Sequence, residues 1–286
     1  MSKILVTGGL GFVGSNLVDA LIQGGDDVTI IDNLSSGKLE NLNPEAKFNK
    51  ADITHKYIWD ILTKFDYVFH TAALARIQPS IKDPLPGHDA NVNGTLNVLE
   101  YCRRTRAKLI FSSSSSIYQG NKLPTREQDP KYSKNPYALQ KYICEQYIEL
   151  YAQLYGLDYV ILRYFNVFGK RQLTEGAYAT ALGIFLKQKA EGKPMTITND
   201  GEQRRDFTYI DDVVKANIMA MDWKGTFNIG AGNNYSINEI ADLIGGERGY
   251  IGARLGEVRE TLADNSKARQ KGWYPTPNAL EDFING

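Results

Sequence analysis

Two cysteines, three histidines and no surplus of either charge are the scarcities that bound this chain. Cys102 and Cys144 both fall in segments with helical periodicity, so they read as small buried apolar groups. They exclude a disulfide framework and a cysteine metal cluster, and they point to a reducing compartment. His55, His70 and His88 show no metal-ligand spacing, so no metal is expected. With 33 basic and 33 acidic residues the formal net charge is zero, which gives no bulk-charge support to nucleic-acid or membrane-surface binding. No apolar run approaches the ~20 residues that span a bilayer. The opening Met1-Ser2-Lys3, followed by Ile4-Leu5-Val6, has the outline of a signal peptide, but Gly8, Gly9, Gly11 and Gly14 interrupt its apolar stretch. The expectation is a soluble, cytoplasmic protein. Its 286 residues suffice for one large α/β domain or two lobes.

Ile4-Leu5-Val6 suits a buried parallel strand, and a helical pattern through Leu17, Leu21 and Ile22 follows. Between them stands Gly8-Gly9-Leu10-Gly11-Phe12-Val13-Gly14, a Gly-x2-Gly-x2-Gly turn. Such glycines let the backbone approach a pyrophosphate, and the helix N-terminus favours its charge. A second strand, Val28 to Ile31, ends at Asp32, about 20 residues on, where a carboxylate binds ribose hydroxyls and repels a 2′-phosphate. NAD is therefore favoured over NADP. Further strands at 47–49 and 67–69 alternate with helical segments, which implies an open parallel sheet. Asp52, past the third strand, is placed to meet an adenine amino group or to cap a helix over 55–63. Ala72 and Ala73, past the fourth, are small enough for a cofactor to approach.

A helix is expected over 88–105, with Val92, Leu96, Leu99 and Cys102 on one face. A second, over 137–155, carries two apolar stripes: Cys144, Ile148, Tyr151 and Ile143, Tyr147, Leu150, Leu154. One stripe covers the sheet; the other needs a partner, so a homodimer is expected.

Ahead of that second helix runs Phe111-Ser112-Ser113-Ser114-Ser115-Ser116, and inside it lies Tyr137-Ala138-Leu139-Gln140-Lys141. Tyr and Lys four apart share a helix face, with Cβ atoms roughly 5–6 Å apart. A free phenol titrates near pH 10, a poor base at neutrality, but adjacent cations favour the phenolate. That is how a Tyr accepts a proton from a sugar or alcohol hydroxyl. With 17 tyrosines, one such pair arises by chance. Tyr118 and Lys122 have the same spacing, but Gly120 and Asn121 mark a loop there.

Taken together, these stretches resemble the extended short-chain dehydrogenase/reductases, and more narrowly the UDP-hexose 4-epimerases. The likeness continues through Asp32-Asn33-Leu34-Ser35-Ser36-Gly37, His70-Thr71-Ala72-Ala73 and Asn91-Val92-Asn93-Gly94-Thr95. It then runs through Pro136–Lys141, Arg163–Gly169 and Arg205-Asp206-Phe207-Thr208-Tyr209. It implies a Rossmann-type doubly wound parallel sheet with a smaller C-terminal α/β lobe for the substrate. The NAD-binding domain would take 1–166, with 207–229 returning to it, and the nucleotide-sugar lobe 167–206 and 230–286. Cofactor contacts would come from Gly8, Gly11, Phe12, Val13, Gly14, Asp32, Asn33, Ser36, Gly37, Asp52, Ile53, Ala72, Ala73, Tyr137, Lys141 and Tyr164.

For the chemistry, the likeness implies that Ser114 relays the sugar 4-hydroxyl proton to Tyr137, while Lys141 binds the nicotinamide ribose and lowers the phenol pKa. Ser116 would touch the sugar, Asn166 the substrate's phosphate and sugar, and Arg205 and Arg254 would clamp the diphosphate as guanidinium forks. Related dehydratases and decarboxylases carry an acid just after the Ser114 position; here Ser115 and Ser116 stand instead. Reductase-epimerases of GDP-sugars use a Cys and a His that this turn lacks. What survives is reversible oxidation at one carbon, through a 4-keto sugar. Thr261 falls where some epimerases place a bulky Tyr, leaving room for an N-acetyl group. Arg163–Ala177 also looks most like the UDP-N-acetylglucosamine branch, so that substrate pair is favoured over UDP-glucose and UDP-galactose. Thr198-Asn199 departs from the family outline and leaves the uracil contacts open. Relatives usually run past the final helix, expected from Ala279. The alternatives are another nucleotide-sugar oxidoreductase or dehydratase, and a non-catalytic NAD-binding regulator, which would need neither Tyr137 nor Lys141.

Overall fold

The computed structural model describes residues 1–118, 120–176 and 179–286. Gln119, in the Tyr118–Lys122 loop, and Ala177, the end of the Arg163–Ala177 stretch, lie outside them. Seven strands form one parallel sheet: β1 (Lys3–Thr7), β2 (Asp27–Asp32), β3 (Lys47–Lys50), β4 (Tyr67–His70), β5 (Lys108–Ser114), β6 (Tyr159–Tyr164) and β7 (Gly225–Ile229). Their spatial order is β7-β6-β5-β4-β1-β2-β3, so the chain winds one way from β1 and then reverses to β4. Register pairs Ile4 with Val28 on one side and with Tyr67 on the other. A cofactor belongs at this reversal, outside the carboxyl ends of β1 and β4.

Alternation along each strand fills two faces. Ile4, Val6, Ile30, Ile110 and Leu162 pack under helix α1 (Phe12–Gln23) and a later helix, Ile210–Met219. Leu5, Ile31, Leu109, Phe111 and Ile161 pack under α2 (Gly94–Thr105) and α3 (Pro136–Tyr155). Each such side chain, removed from water, contributes roughly 1.5–3 kcal/mol. Both cysteines are free and buried in the second layer. The helix expected over 88–105 is instead a short helix Pro84–His88, a π-turn Asp89–Asn93 and then α2. The widened turn lets Asn91 reach sideways: its Oδ1 accepts from Leu74 N at 2.8 Å, and its Nδ2 donates to Gln140 Oε1 at 2.8 Å.

A third core gathers Phe168, Leu182, Phe185, Met195, Ile197, Phe207, Ile237, Ile240 and Leu280 beside the carboxyl edge of the sheet. It is framed by a parallel pair, Met195–Thr198 with Arg248–Ile251. The strand Gly225–Ile229 pairs with β6, so the chain returns to the large sheet after starting this smaller unit. A final helix spans Ala279–Asn285. Among the described residues no helix is long and apolar enough to cross a membrane, and no metal-binding cluster occurs. Along α3, Cys144 and Ile148 are buried, while Leu150 and Leu154 stand 43% and 62% exposed.

Candidate active site

The glycine turn is built for close approach. Gly8 has φ +71°, and a Cβ there would meet the Ala72 backbone at 2.7 Å; a Cβ on Gly14 would sit 2.1 Å from the Gly8 carbonyl oxygen. Gly8 N donates to Ile31 O at 2.7 Å and Gly11 N to Gly8 O at 3.1 Å, which fixes the turn. Gly11 caps α1 without a side-chain bond, so the first amides of that helix, at Phe12 and Val13, are left for a ligand. Asp32 ends β2 with its carboxylate accepting from Leu10 N at 3.0 Å and Leu34 N at 2.8 Å. Gly37 packs so closely that a Cβ would touch both Asp32 oxygens at 2.8 Å. Asp52 accepts from Thr54 N, Thr54 Oγ1 and Asn33 Nδ2 at 2.9, 2.7 and 2.7 Å. Burial alone would raise its pKa, but those donors prevail and hold it low. It braces the Asn33 loop rather than capping a helix, which starts later, at Lys56. The Ile53 carbonyl accepts from Trp59 Nε1 and Asn97 Nδ2, both at 3.0 Å, which fixes that residue.

One cavity of about 1210 Å³ runs from this turn into the smaller unit. Of the residues singled out from the sequence, Gly8, Gly11, Phe12, Val13, Gly14, Asp32, Asn33, Ser36, Asp52, Ile53, Ala72 and Ala73 line its cofactor end. Ser114, Ser116, Tyr137, Tyr164, Asn166, Arg205, Arg254 and Thr261 line the remainder. Gly37 and Lys141 stand behind the wall.

Asn135 starts α3 by accepting from Ala138 N at 2.9 Å, with Pro136 in the first turn. This places Tyr137 at the mouth of the helix, buried, with the Ser114 side chain close enough to favour its charged form. Lys141, one turn on, donates to Ser112 O at 2.7 Å and lies 4.7 Å from the Phe111 ring centroid. Burial pushes its ammonium down to about 8. Burial and the Lys141 charge push His70 down to about 3, so it is a neutral link between Thr7 and Thr95.

The phenol itself departs from the expectation. Burial pushes Tyr137 above its ordinary value, and what opposes this is the neighbouring Ser114 side chain and the charge of Arg76. The anticipated lowering by Lys141 is not seen, because that ammonium is turned to the Ser112 carbonyl. Arg76 lines the cavity in the loop after β4. Sequence reasoning missed it, although it is the one charged residue between His70 and Pro79. Tyr164 is bonded to Ser112 Oγ at 3.0 Å and to Asn217 Oδ1 at 2.9 Å, and burial raises it to about 12.

In the smaller unit, Asn166 Nδ2 donates to Asp206 O at 3.0 Å and Thr261 Oγ1 at 3.2 Å. Both amide hydrogens are spent, so Asn166 offers its Oδ1, an acceptor suited to a sugar hydroxyl rather than to phosphate. Asp206 is buried and pushed up to about 6, restrained by amides of Ala263, Gly232 and Ala231. Arg205 Nη1 donates to Arg204 O at 2.9 Å, and Nη2 lies 3.8 Å from Glu257; burial lowers its pKa. Arg254 is exposed and also lines the cavity. The Ser116 hydroxyl is buried without a hydrogen-bond partner.

A dinucleotide cradle opening into a chamber lined by Ser114 and a buried Tyr137 defines a pyridine-nucleotide enzyme acting on a hydroxyl-bearing substrate. The profile of the NAD dependent epimerase/dehydratase family matches residues 4–230. A Methanocaldococcus jannaschii protein assigned as a UDP-glucose 4-epimerase is 43% identical over 284 residues, covering 95% of this chain and 93% of that one. The solved UDP-N-acetylglucosamine 4-epimerase of Methanobrevibacter ruminantium M1, in complex with UDP-N-acetylmuramic acid, is 39% identical with a TM-score of 0.94, covering 99% of this chain and 96% of that one. The Thermotoga maritima UDP-glucose 4-epimerase with UDP-glucose is also 39% identical, with a TM-score of 0.95 and the same coverage. The chain belongs to the NAD-dependent epimerase/dehydratase family, within the extended short-chain dehydrogenase/reductases. Its activity is that of an NAD-dependent UDP-sugar 4-epimerase, an isomerase.

Proposed function

We propose that the enzyme inverts C4 of UDP-N-acetylglucosamine and UDP-N-acetylgalactosamine in preference to UDP-glucose and UDP-galactose. The observation that carries this is Thr261: a short side chain on the cavity wall, its hydroxyl occupied by Asn166 Nδ2 and Asp206 N, both at 3.2 Å. No bulky ring narrows the chamber at that position, so an N-acetyl group has room. Ser114 takes the 4-hydroxyl proton and passes it to Tyr137, which returns it to the inverted carbinol. NAD, when bound, supplies the acceptor and then the donor of the C4 hydride. Lys141 orients the nicotinamide ribose from behind the wall, Ser116 and Asn166 Oδ1 meet sugar hydroxyls, and Arg205 with Arg254 holds the diphosphate. Firm binding at the nucleotide end and few fixed contacts at the hexose end suit a 4-keto sugar that must present both faces.

The division of labour follows: residues 1–166 with 207–229 hold NAD, and 167–206 with 230–286 hold the nucleotide sugar. A second copy of the chain covers the exposed row Leu150 and Leu154 of α3, and the free buried thiols suit a cytoplasmic setting. Sedimentation showing only monomer at micromolar concentration would remove the dimer. The substrate is tested by incubating the purified protein with UDP-N-acetylglucosamine and following the sugar by NMR. Conversion to the galacto form without added NAD, and faster per enzyme than with UDP-glucose, is expected. Conversion of UDP-glucose alone would overturn the substrate preference.

A further inference from the structure

Behind the chamber lies a buried ion pair that none of the chemistry above employs. Glu145 stands on α3, eight residues after Tyr137 and four after Lys141, and is 1% exposed. Arg163 on β6 grips it with two parallel bonds, Nε to Oε1 at 2.9 Å and Nη2 to Oε2 at 2.6 Å. Ser113, the residue before Ser114, donates to the same carboxylate at 2.5 Å. The remaining Arg163 nitrogen donates to the Tyr118 hydroxyl and, at 2.9 Å, to Glu127 O. From Tyr118 the chain of bonds runs to Asn228 Oδ1 at 2.8 Å, and from Asn228 Nδ2 to Thr125 O at 2.9 Å. Thr125 N donates in turn to Leu262 O at 2.9 Å, next to Thr261 on the substrate wall.

Two consequences follow from this placement. Ser113 of β5 is tied to α3 through Glu145, and the next residue, Ser114, lines the same cavity as Tyr137 of that helix, so the bond at Ser113 sets the register of relay against base. Second, Glu145 lies one turn from Lys141, the spacing at which opposite charges on a helix meet. Satisfied by a guanidinium fork, its carboxylate leaves Lys141 turned to Ser112 O; stripped of that fork, a buried carboxylate takes the nearest cation.

We propose that Arg163 and Glu145 are positioning residues for the epimerisation: the pair locks the Ser114–Tyr137 register, keeps Glu145 from capturing Lys141, and ties both to the 261–264 segment of the substrate lobe. This rests on the proposed roles of Ser114, Tyr137 and Lys141, so the test compares variants in an enzyme already shown to turn over a UDP-sugar; a parent without turnover would defeat that assignment instead. The enzyme is purified as parent, Arg163→Met, Glu145→Gln and the double variant, with melting curves and NAD content recorded for each. In Arg163→Met, kcat should fall roughly 100-fold with KM for the UDP-sugar changed less than about threefold, the signature of lost transition-state geometry. The alkaline limb of its pH profile should move up, since a captured Lys141 holds its proton longer. Adding Glu145→Gln removes the stranded charge and should recover at least roughly tenfold of that kcat, a negative coupling that simple loss of packing does not produce. A double variant as slow as Arg163→Met or slower, or variants that lose only melting temperature at unchanged kcat, would overturn the proposal. Should Arg163→Met not fold, Arg163→Lys keeps the charge without the fork. Lowered kcat at unchanged KM is then expected, and unchanged kcat would be contradictory.

Discussion

Replacing Lys141 by Met should make the protein more stable at neutral pH while stopping its catalysis. Lys141 is 3% exposed, and no ion pair with it occurs among the described residues; burial holds its folded pKa at about 8 against an ordinary 10.5. At 1.36 kcal/mol per unit, that gap corresponds to ~3 kcal/mol of destabilisation. The sign follows from proton binding: between pH 8 and 10.5 the unfolded chain holds the proton that the folded chain has shed, so stability rises with pH there. Below about pH 8 the whole cost is present. Losing the bond to Ser112 O offsets about 1 kcal/mol. A net gain of ~2 kcal/mol raises Tm by roughly 3–4 °C for a chain of this size. Denaturant and thermal melts of NAD-free parent and Lys141→Met at pH 7 and pH 10 measure it. The variant should lead at pH 7 and the two should converge towards pH 10. Equal stability at both values, or a variant that melts lower at both, would refute the claim that a costly buried charge is kept for function.

Gly14→Ala should weaken NAD binding by roughly 100-fold or more, since its Cβ would press on the Gly8 carbonyl held by Gly11 N and overpacking of this kind costs ~1–3 kcal/mol before any ligand contact is lost. Titration of NAD into both proteins checks this, with Gly252→Ala, where a Cβ meets nothing within 4 Å, as the unaffected comparison. Asp32→Gly should narrow the preference for NAD over NADP at least ~10-fold, by removing the charge that opposes a 2′-phosphate; parallel titrations with the two cofactors decide it. Thr261→Tyr should lower kcat/KM for UDP-N-acetylglucosamine at least ~10-fold more than for UDP-glucose, the order of a missing pocket volume of a few heavy atoms. Equal losses on both substrates would detach Thr261 from the sugar.

The large sheet was legible because its signals are local. Ile4–Val6, Val28–Ile31 and Val160–Tyr164 are short, mainly apolar runs, and the observed strands extend them by a residue or two. Asp32 could be found by counting from Gly14. The smaller unit was not legible, because it is built of pairings between distant segments: Arg204 with Ser236, and Thr125 with Ala263, leave no periodic trace. Arg76 acts on Tyr137 from a loop whose course depends on Asn91 gripping Leu74. Glu145 and Arg163 were visible only as an acid and a base set in apolar company, and nothing in the spacing says that they meet.

The phenol of Tyr137 is the group on which the proposed proton transfer turns. Tyr137→Phe removes one oxygen from a buried ring and leaves the cradle at Gly8–Gly14 untouched, so NAD content should match the parent. Loss of a positioned acid–base group lowers turnover by ~10²–10⁴. NMR of the sugar anomeric signals, at equal NAD occupancy, should therefore show kcat reduced at least ~100-fold. Turnover within tenfold of the parent in the NAD-loaded variant would contradict the account, because the proton would then be leaving by another route.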